Sequence, residues 1–408
     1  MWNRFVTAFK KRWQPTDYYD YNLLAVIVLM VCFGLVILYS ASSYDAAASA
    51  KMQNDSMWYL RHQAPISVAS VLGCILLSRF NYHYIAKLAG WVYMAALVLM
   101  AMVRFTPLGV EANNSRRWLK LGVTFQPSEI AKIAVIVFIP LVIIKMGKNI
   151  KGFKGVAYLL AIGMIQAGGA FFFTDNLSTA LIIAAITAVI IFVSHPKTWP
   201  FLLVTAGIAA VCAVLYMQFR DMDASLAGSF RLRRILVWMD PEKYSDFGGY
   251  QVLQGLYAIG SGGLFGKGLG NSAQKLGPIP EAQNDMIFAI ICEELGIFGM
   301  VIVLMLFGYM LYRLFFIAQN APDLYGSLMV VGIMAHISLQ VILNICVSIN
   351  LIPTTGITLP FFSYGGTSIA FLMGELAIAL SVSRSIQFRE GTEVVEIYNQ
   401  EKETEIHE

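Results

Sequence analysis

The chain has 408 residues, of which 58% are hydrophobic and only 13% carry a charge. Soluble domains usually contain about 25% charged residues, so a single water-soluble fold could not bury this much apolar surface. The formal net charge of +4 is spread over many loops without the basic aromatic surface of a nucleic-acid-binding protein. Composition therefore predicts an all-α integral membrane protein.

Ten apolar stretches are long enough to cross about 30 Å of hydrocarbon as helices. They lie near 22–41, 60–79, 84–103, 128–146, 156–173, 176–194, 200–217, 285–316, 325–350 and 366–386. The first stretch is too long for a signal-peptide core and is interpreted as a membrane helix. The sequence thus predicts an N-terminal segment 1–21, a polytopic membrane domain 22–388, and an acidic, disordered tail 389–408.

The short loops between these stretches indicate an orientation. Lysines are concentrated between the fourth and fifth stretches, and basic residues also precede the first. The positive-inside rule therefore predicts that both termini are cytoplasmic, and an even number of helices agrees. Two loops on the predicted outer side, 104–126 and 218–284, are nevertheless basic; solvation explains such charge, but binding of an anionic headgroup, for example by Lys275, would explain it as well.

A first candidate site spans 115–132. Arg116 and Arg117 precede the fourth stretch, and Glu129 and Lys132 share one face of its first turns. A lysine inside a membrane helix is a functional hypothesis by default, and arginine side chains suit phosphate oxygens. The alternative is that Glu129 and Lys132 only neutralise each other.

The glycine-rich segment 260–270 resembles a phosphate-binding loop only superficially. It lacks the GxxxxGK[ST] pattern and the strand that precedes such a loop. The segment is instead predicted to form a tight re-entrant turn after a short amphipathic helix at 250–259.

The segment 280–288 places Asp285 where the long outer loop meets the eighth stretch. A carboxylate at this boundary could act on a lipid-linked anionic substrate, although it could equally be an ordinary acid at a helix N-terminus. Glu293 and Glu294 follow about two turns later. Adjacent residues do not share one helix face, so at least one of them is expected to face a partner such as Lys132.

The segment 353–368 contains two prolines and three glycines, which prevent a continuous helix. Irregular backbone at membrane depth occurs only where protein or a water-filled cavity covers it. Ser363, Thr367 and Ser368 would then offer hydroxyl groups to that cavity, unless the segment is merely a structural turn.

Together these four segments resemble the SEDS family (shape, elongation, division and sporulation), which comprises FtsW, RodA and SpoVE, over nearly the whole chain. The residues Arg116 to Trp118 and Gly356 to Pro360 favour the FtsW/SpoVE branch. The resemblance implies an inverting peptidoglycan glycosyltransferase that polymerises lipid II at the outer face of the bacterial cytoplasmic membrane, for cell division or shape. It also implies a class B penicillin-binding protein as partner.

By the same resemblance, Asp285 would be the catalytic base. Arg117 and Lys132 would support the departing undecaprenyl pyrophosphate, while Glu129, Ser363 and Thr367 would line the substrate cavity; Arg116, Lys275 and Ser368 are added as substrate-binding candidates. No cluster of side chains with the spacing of metal ligands is visible. Whether a divalent cation, Mg²⁺ or Mn²⁺, bridges Asp285 and the pyrophosphate stays open.

Two departures from the family pattern bear on activity. Gln283-Asn284 stand where the family has His-Thr, and Asp175-Asn176 stand where it has Pro-Asp. Two other functions also fit a membrane protein with buried charges: a lipid II flippase and a non-catalytic scaffold that recruits a transpeptidase. The hydropathy shows no inverted repeat, which argues mildly against transport.

Overall fold

Helices dominate the computed structural model, which describes residues 18–112, 115–219, 230–276, 279 and 282–387. Most of the predicted N-terminal segment, the acidic tail, and Pro280 and Glu281 lie outside the described residues. In the described part, twelve α-helices and one small sheet follow one another. The helices are α1 Tyr21–Ala48, α2 Trp58–Leu77, α3 His83–Phe105, α4 Pro127–Met146, α5 Phe153–Thr174, α6 Leu177–Ser194, α7 Trp199–Phe219, α8 Phe230–Met239, α9 Gly249–Ser261, α10 Ile287–Asn320, α11 Leu324–Ser348 and α12 Gly366–Ser383.

Every one of the ten predicted stretches overlaps an observed helix. Within the described residues, nine helices, α1 to α6 and α10 to α12, have the length and apolarity to cross a membrane. The helix α7 occupies the predicted seventh stretch. The two remaining helices, α8 and α9, are short and lie in the long loop that precedes α10. The expected all-α membrane architecture is confirmed.

The helix α2 shows how the core is arranged. Val68, Leu72 and Leu76 are more than half exposed, while the polar Gln63 and Ser67 are buried. This reversal of the soluble pattern is expected when apolar side chains meet lipid and polar groups bond inside the bundle. The buried face packs on α1 and α12.

The sequence analysis treated the segment 104–126 as a plain loop, but it contains regular structure. It folds into an antiparallel sheet of β1 Gly109–Ala112, β2 Ser115–Leu121 and β3 Val123–Phe125, in the order β1-β2-β3. Glu111 pairs with Arg116 and Val110 with Trp118, so Arg117 forms a bulge in β2. A bulge redirects the side chain it carries and often lies beside a functional site.

The helix α10 is broken at Gly296, whose φ of 66° and ψ of −162° are not helical. The glycine-rich segment after α9 lies against this break: Ile297 N donates to Gly263 O (3.0 Å) and Phe298 N to Leu264 O (3.1 Å). A side chain at Gly296 would collide with the backbone of Gly266. The short helix followed by a turn is thus confirmed, whereas the break in the eighth span was not predicted.

Candidate functional site

Asp285 lies two residues before α10, and Met286 occupies the N-cap position. The partly exposed carboxylate of Asp285 accepts a hydrogen bond from Gln251 Nε2 of α9 at 3.3 Å. The acid therefore stands in the turn ahead of the helix and its carboxylate faces α9. This placement differs from that of an acid in the first helical turn.

Arg234 of α8 is an electrostatic neighbour of Asp285. Its Nη1 donates to the carbonyl oxygen of Thr354 at 3.1 Å. Burial lowers the pKa of the Arg234 guanidinium, and the negative charge of Asp285 opposes that shift. The sequence analysis counted Arg234 among the basic loop residues without selecting it, although the short helix Phe230–Met239 carries three arginines on an amphipathic pattern.

The broken segment 353–365 holds the turn that carries Asp285. Ser363 Oγ donates to Asn284 O at 2.6 Å and accepts from Leu359 N at 2.8 Å. Tyr364 N donates to Gln283 O at 2.9 Å. The hydroxyl group of Ser363 is thus occupied by backbone groups, which gives this predicted substrate-binding residue a structural role.

Gln283 belongs to the first of the two departures from the family pattern. Its side chain is buried and hydrogen-bonded. Its Nε2 donates to Tyr59 Oη at 2.9 Å and approaches Asp45 Oδ2 at 3.5 Å. Tyr59 Oη in turn donates to Asp45 Oδ2 at 3.2 Å. The glutamine therefore anchors the 283–285 turn to the first two helices.

A small, partly open pocket lies between the broken segment, α4, α11 and α12. Three of the predicted residues, Glu129, Ser363 and Ser368, line it together with Gln340 and His336. Thr367 is partly exposed beside them. The structure thus brings segments together that lie more than 200 residues apart in the chain.

Lys132 is buried and pairs with Glu129 at 2.9 Å. Glu293 and Glu294 both pack inward against a lysine, as was expected of at least one of them, but neither of these lysines is Lys132. Both acids bind residues of the glycine-rich segment and the turn after it. Glu293 accepts from Lys267 Nζ at 2.6 Å and from Ser272 Oγ. The amide N–H groups of residues 273 and 274 also donate to Glu293.

Lys275 forms a buried ion pair with Glu294, at 2.8 Å between Nζ and Oε1. Ser40 Oγ also donates to this carboxylate, at 2.7 and 2.6 Å to its two oxygens. These contacts give Lys275 a structural function. Its predicted contact with substrate stays a prediction.

The two arginines of β2 differ in their surroundings. Arg116 donates to three backbone carbonyls between the end of α3 and the start of β1: Thr106 O at 2.8 Å, Gly109 O at 3.3 Å and Arg104 O at 3.4 Å. It therefore stabilises the sheet, which leaves its predicted substrate contact without support. Arg117, in the bulge, keeps its predicted role as a proposal.

The second family departure, at the α5–α6 turn, has a simple local account. Asp175 adopts the left-handed conformation that ends α5, with φ of 47°, and its carboxylate lies 3.7 Å from Arg104 Nη1. Asn176 caps α6 by accepting from Thr179 N at 3.1 Å. Asparagine and aspartate are about equally good N-caps, so the change conserves the cap.

His336 and Glu375 form a buried pair that the sequence analysis missed. His336 Nδ1 lies 2.7 Å from Glu375 Oε2, and both side chains are almost fully buried. The sequence could have identified both residues, because a histidine or a glutamate inside an apolar span is unusual enough to be a functional candidate.

The described residues contain no group of three or more His, Cys, Asp or Glu side chains that could hold a metal ion. A divalent cation near Asp285 would need ligands from the substrate, as Mg²⁺ often has when it binds phosphates. The need for a divalent cation stays open.

Comparison with known proteins agrees with the architecture. The sequence profile of the family described as cell cycle protein, FtsW/RodA/SpoVE, matches residues 20–387. The chain is 34% identical to stage V sporulation protein E of Bacillus subtilis (strain 168), over 90% of this chain and 97% of that protein. It is 35% identical to the probable peptidoglycan glycosyltransferase FtsW of the same organism, over 91% and 92% of the two chains.

Solved structures show the same fold. A chain from the structure described as "Structural coordination of polymerization and crosslinking by a peptidoglycan synthase complex" matches 90% of this chain and 98% of its own length, with a TM-score of 0.72 and 27% identity. The rod shape determining protein RodA of Thermus thermophilus matches 91% and 98%, with a TM-score of 0.63 and 26% identity. The helices, the long loop before α10 and these likenesses lead to one conclusion: the chain is a multi-pass membrane protein that belongs to the FtsW/RodA/SpoVE family.

Proposed function

We propose that this chain is a peptidoglycan glycosyltransferase that joins lipid II units into a β-1,4-linked glycan and releases undecaprenyl pyrophosphate. The observation that carries the proposal is Asp285, which stands in a turn held before α10 by backbone hydrogen bonds, is bonded by Gln251 and lies within electrostatic range of Arg234. Relatives named probable peptidoglycan glycosyltransferase support the reaction class. The reaction would take place at the outer face of the bacterial cytoplasmic membrane, with both termini in the cytoplasm.

In this proposal Asp285 acts as a general base. Its carboxylate takes the proton of the acceptor sugar's 4-hydroxyl as the hydroxyl oxygen attacks C1 of the donor sugar. The bond between C1 and the diphosphate oxygen breaks, and its electron pair leaves with the diphosphate. Attack opposite to the leaving group inverts the configuration at C1, which gives the β linkage.

The leaving group is a diphosphate, so positive charge near it should matter more than a strong general acid. Arg234 is a candidate for this task because it lies near enough to Asp285 for the two charges to interact, and Asp285 loses its negative charge when it takes the proton. Arg117, redirected by its bulge, is a second candidate. Lys132 is less suited, since Glu129 neutralises it at 2.9 Å.

The partner proposed for this chain is a class B penicillin-binding protein that cross-links the new glycan. The support is a structural neighbour that belongs to a peptidoglycan synthase complex, in which polymerization and crosslinking are coordinated. The biological setting would be cell division or cell shape.

The decisive experiment uses the purified full chain in lipid nanodiscs with lipid II, and measures glycan length on gels. We expect Asp285→Ala to lower polymerisation by about 10²- to 10⁴-fold, the range that a general base contributes. Asp246→Ala, a change at an exposed acid of the same outer loop, is the matched control and should retain activity. Wild-type rates in a folded Asp285→Ala variant would refute the mechanism.

The two alternative functions are tested by further measurements on the same chain, with the protein reconstituted in sealed liposomes for lipid II movement. Movement of labelled lipid II across the bilayer without polymer would indicate a flippase. Neither activity, with binding of a transpeptidase retained, would indicate a scaffold.

A further inference from the structure

The three consecutive carbonyl groups of Gln283, Asn284 and Asp285 each accept a hydrogen bond from elsewhere in the fold. Two of the donors, Tyr364 N and Ser363 Oγ, belong to the broken segment. The third is the side chain of Asn344 on α11, whose Nδ2 donates to Asp285 O at 2.9 Å. The backbone of the proposed base is therefore bound directly by Asn344.

The same amide nitrogen makes a second bond. Asn344 Nδ2 also donates to Ile357 O at 2.8 Å, so one NH₂ group joins the Asp285 turn to the broken segment. Both hydrogens of the amide are used, and the side chain is completely buried. An amide nitrogen with two donors can make this bridge, whereas a hydroxyl group has only one donor.

The other end of the amide indicates why asparagine stands here. Asn344 Oδ1 is buried without a hydrogen-bond partner among the described residues. Burying a polar atom without a partner is unfavourable. An apolar side chain of similar size would avoid the free-energy cost of burying this oxygen. The compensating feature of asparagine at this position is its pair of donors to Asp285 and Ile357.

We infer that Asn344 is a positioning residue for catalysis: by binding the carbonyls of Asp285 and Ile357 together, it fixes the turn that carries Asp285 against the broken segment and so sets the position of the Asp285 carboxylate. The inference rests on the proposed function. It concerns the placement of the base and assigns Asn344 no contact with substrate. An error of about 1 Å in such a placement can lower a rate by about 10²-fold.

The test compares three variants of the full chain in nanodiscs with lipid II. Asn344→Leu removes both donors and should lower kcat by about 10²-fold, while KM for lipid II changes less than about twofold because no substrate contact is lost. Ser348→Ala is the matched control. Ser348 is a buried residue one turn later, and its hydroxyl donates only to Asn344 O within the helix, so its loss should leave kcat within about twofold.

Asn344→Asp provides a conservative rescue. Burial favours the neutral carboxylic acid, which can donate one of the two hydrogen bonds. The variant should therefore be more active than Asn344→Leu at neutral pH, and it should lose that advantage as the pH rises and the introduced carboxyl group ionises. A merely structural role for Asn344 would not create this additional alkaline limb in the pH–rate profile.

Thermal unfolding and binding of fluorescent lipid II show that each variant is folded. The inference is overturned if folded Asn344→Leu has wild-type kcat, if its loss is entirely in KM, or if Asn344→Asp is no better than Asn344→Leu at any pH. Asp285→Ala, measured in parallel, keeps the two proposals apart. An active Asp285→Ala variant would defeat the proposed function itself, whereas an inactive one together with a normal Asn344→Leu variant would defeat only the inference about Asn344.

Discussion

Asp285 and Arg234 form a pair of opposite charges on two segments that are distant in the chain. The attraction acts in both directions, so the cation that Asp285 favours also favours the ionised carboxylate. The base must be ionised to accept a proton, and the departing diphosphate needs a nearby positive charge. One guanidinium could serve both requirements.

Replacing Arg234 should therefore change both the rate and its pH dependence. We expect Arg234→Leu to lower polymerisation by about 10²- to 10³-fold, and Arg234→Lys to retain part of the activity because the charge remains without the planar donor geometry. Loss of the cation makes ionisation of Asp285 harder, so the acidic limb of the pH–rate profile should move to higher pH. Rates of lipid II polymerisation across pH 5 to 9 measure the shift of this limb.

Arg233→Leu is the control, since Arg233 is an exposed arginine on the same short helix. An unchanged acidic limb in Arg234→Leu would contradict the coupling between Arg234 and Asp285.

At the scale of secondary-structure elements, two adjacent buried acids join the glycine-rich segment and the turn after it to the break in α10. Glu293 binds Lys267 and backbone N–H groups, and Glu294 binds Lys275 and Ser40. Breaking a buried ion pair is far more harmful than replacing both partners, because the charge that remains is buried without compensation. These pairs hold the long loop on the side of the bundle where α9 reaches Asp285.

Lys275→Met should lower the free energy of unfolding by about 3–5 kcal/mol, the usual effect of removing one partner of a buried pair. The double variant Lys275→Met/Glu294→Gln should recover most of that stability, since no unpaired charge is left. Thermal unfolding in nanodiscs measures the stability of both variants, and lipid II titration measures their KM. A raised KM for lipid II in the stable double variant would indicate that Lys275 contacts the substrate, as the sequence analysis predicted.

At the scale of the whole molecule, the first helix supports the site through a close backbone contact. Gly34 of α1 lies against the carbonyl group of Phe361 in the broken segment, and a Cβ at this position would be closer to that oxygen than real structures allow. Phe361 itself has a φ of 69°, uncommon for a residue with a side chain. The shape of the broken segment thus depends on helix packing as well as on its own prolines and glycines.

Gly34→Ala should therefore displace the broken segment and reduce polymerisation, with a loss of about 1–3 kcal/mol in the free energy of unfolding from overpacking. The control is Gly308→Ala in α10, where an added Cβ meets no atom within 4 Å. Glycan length and thermal unfolding are measured for both. Full activity of Gly34→Ala would mean that the segment tolerates movement and that the contact is not required.

Several features could be predicted from local patterns. The apolar stretches predicted the membrane-spanning helices because length and composition are local properties. Asp285 was selected because it lies at the boundary between the long loop and an apolar stretch. The bonding of Glu293 and Glu294 was mispredicted, since the sequence offers several lysines and distance in the chain does not rank them. The bulge at Arg117 was missed because strand register depends on the partner strand.

The sequence by itself determined the membrane-spanning helical architecture, the presence of irregular backbone within 353–368 and the position of the candidate base, because hydropathy, proline and glycine act through neighbouring residues. Only the tertiary structure decided that Arg234 comes within electrostatic range of Asp285, that Asn344 binds the backbone of Asp285, and that Lys275 is buried against Glu294. The physical reason is that hydrogen bonds and ion pairs depend on distances of about 3 Å, and helix packing sets those distances between segments that the sequence keeps far apart.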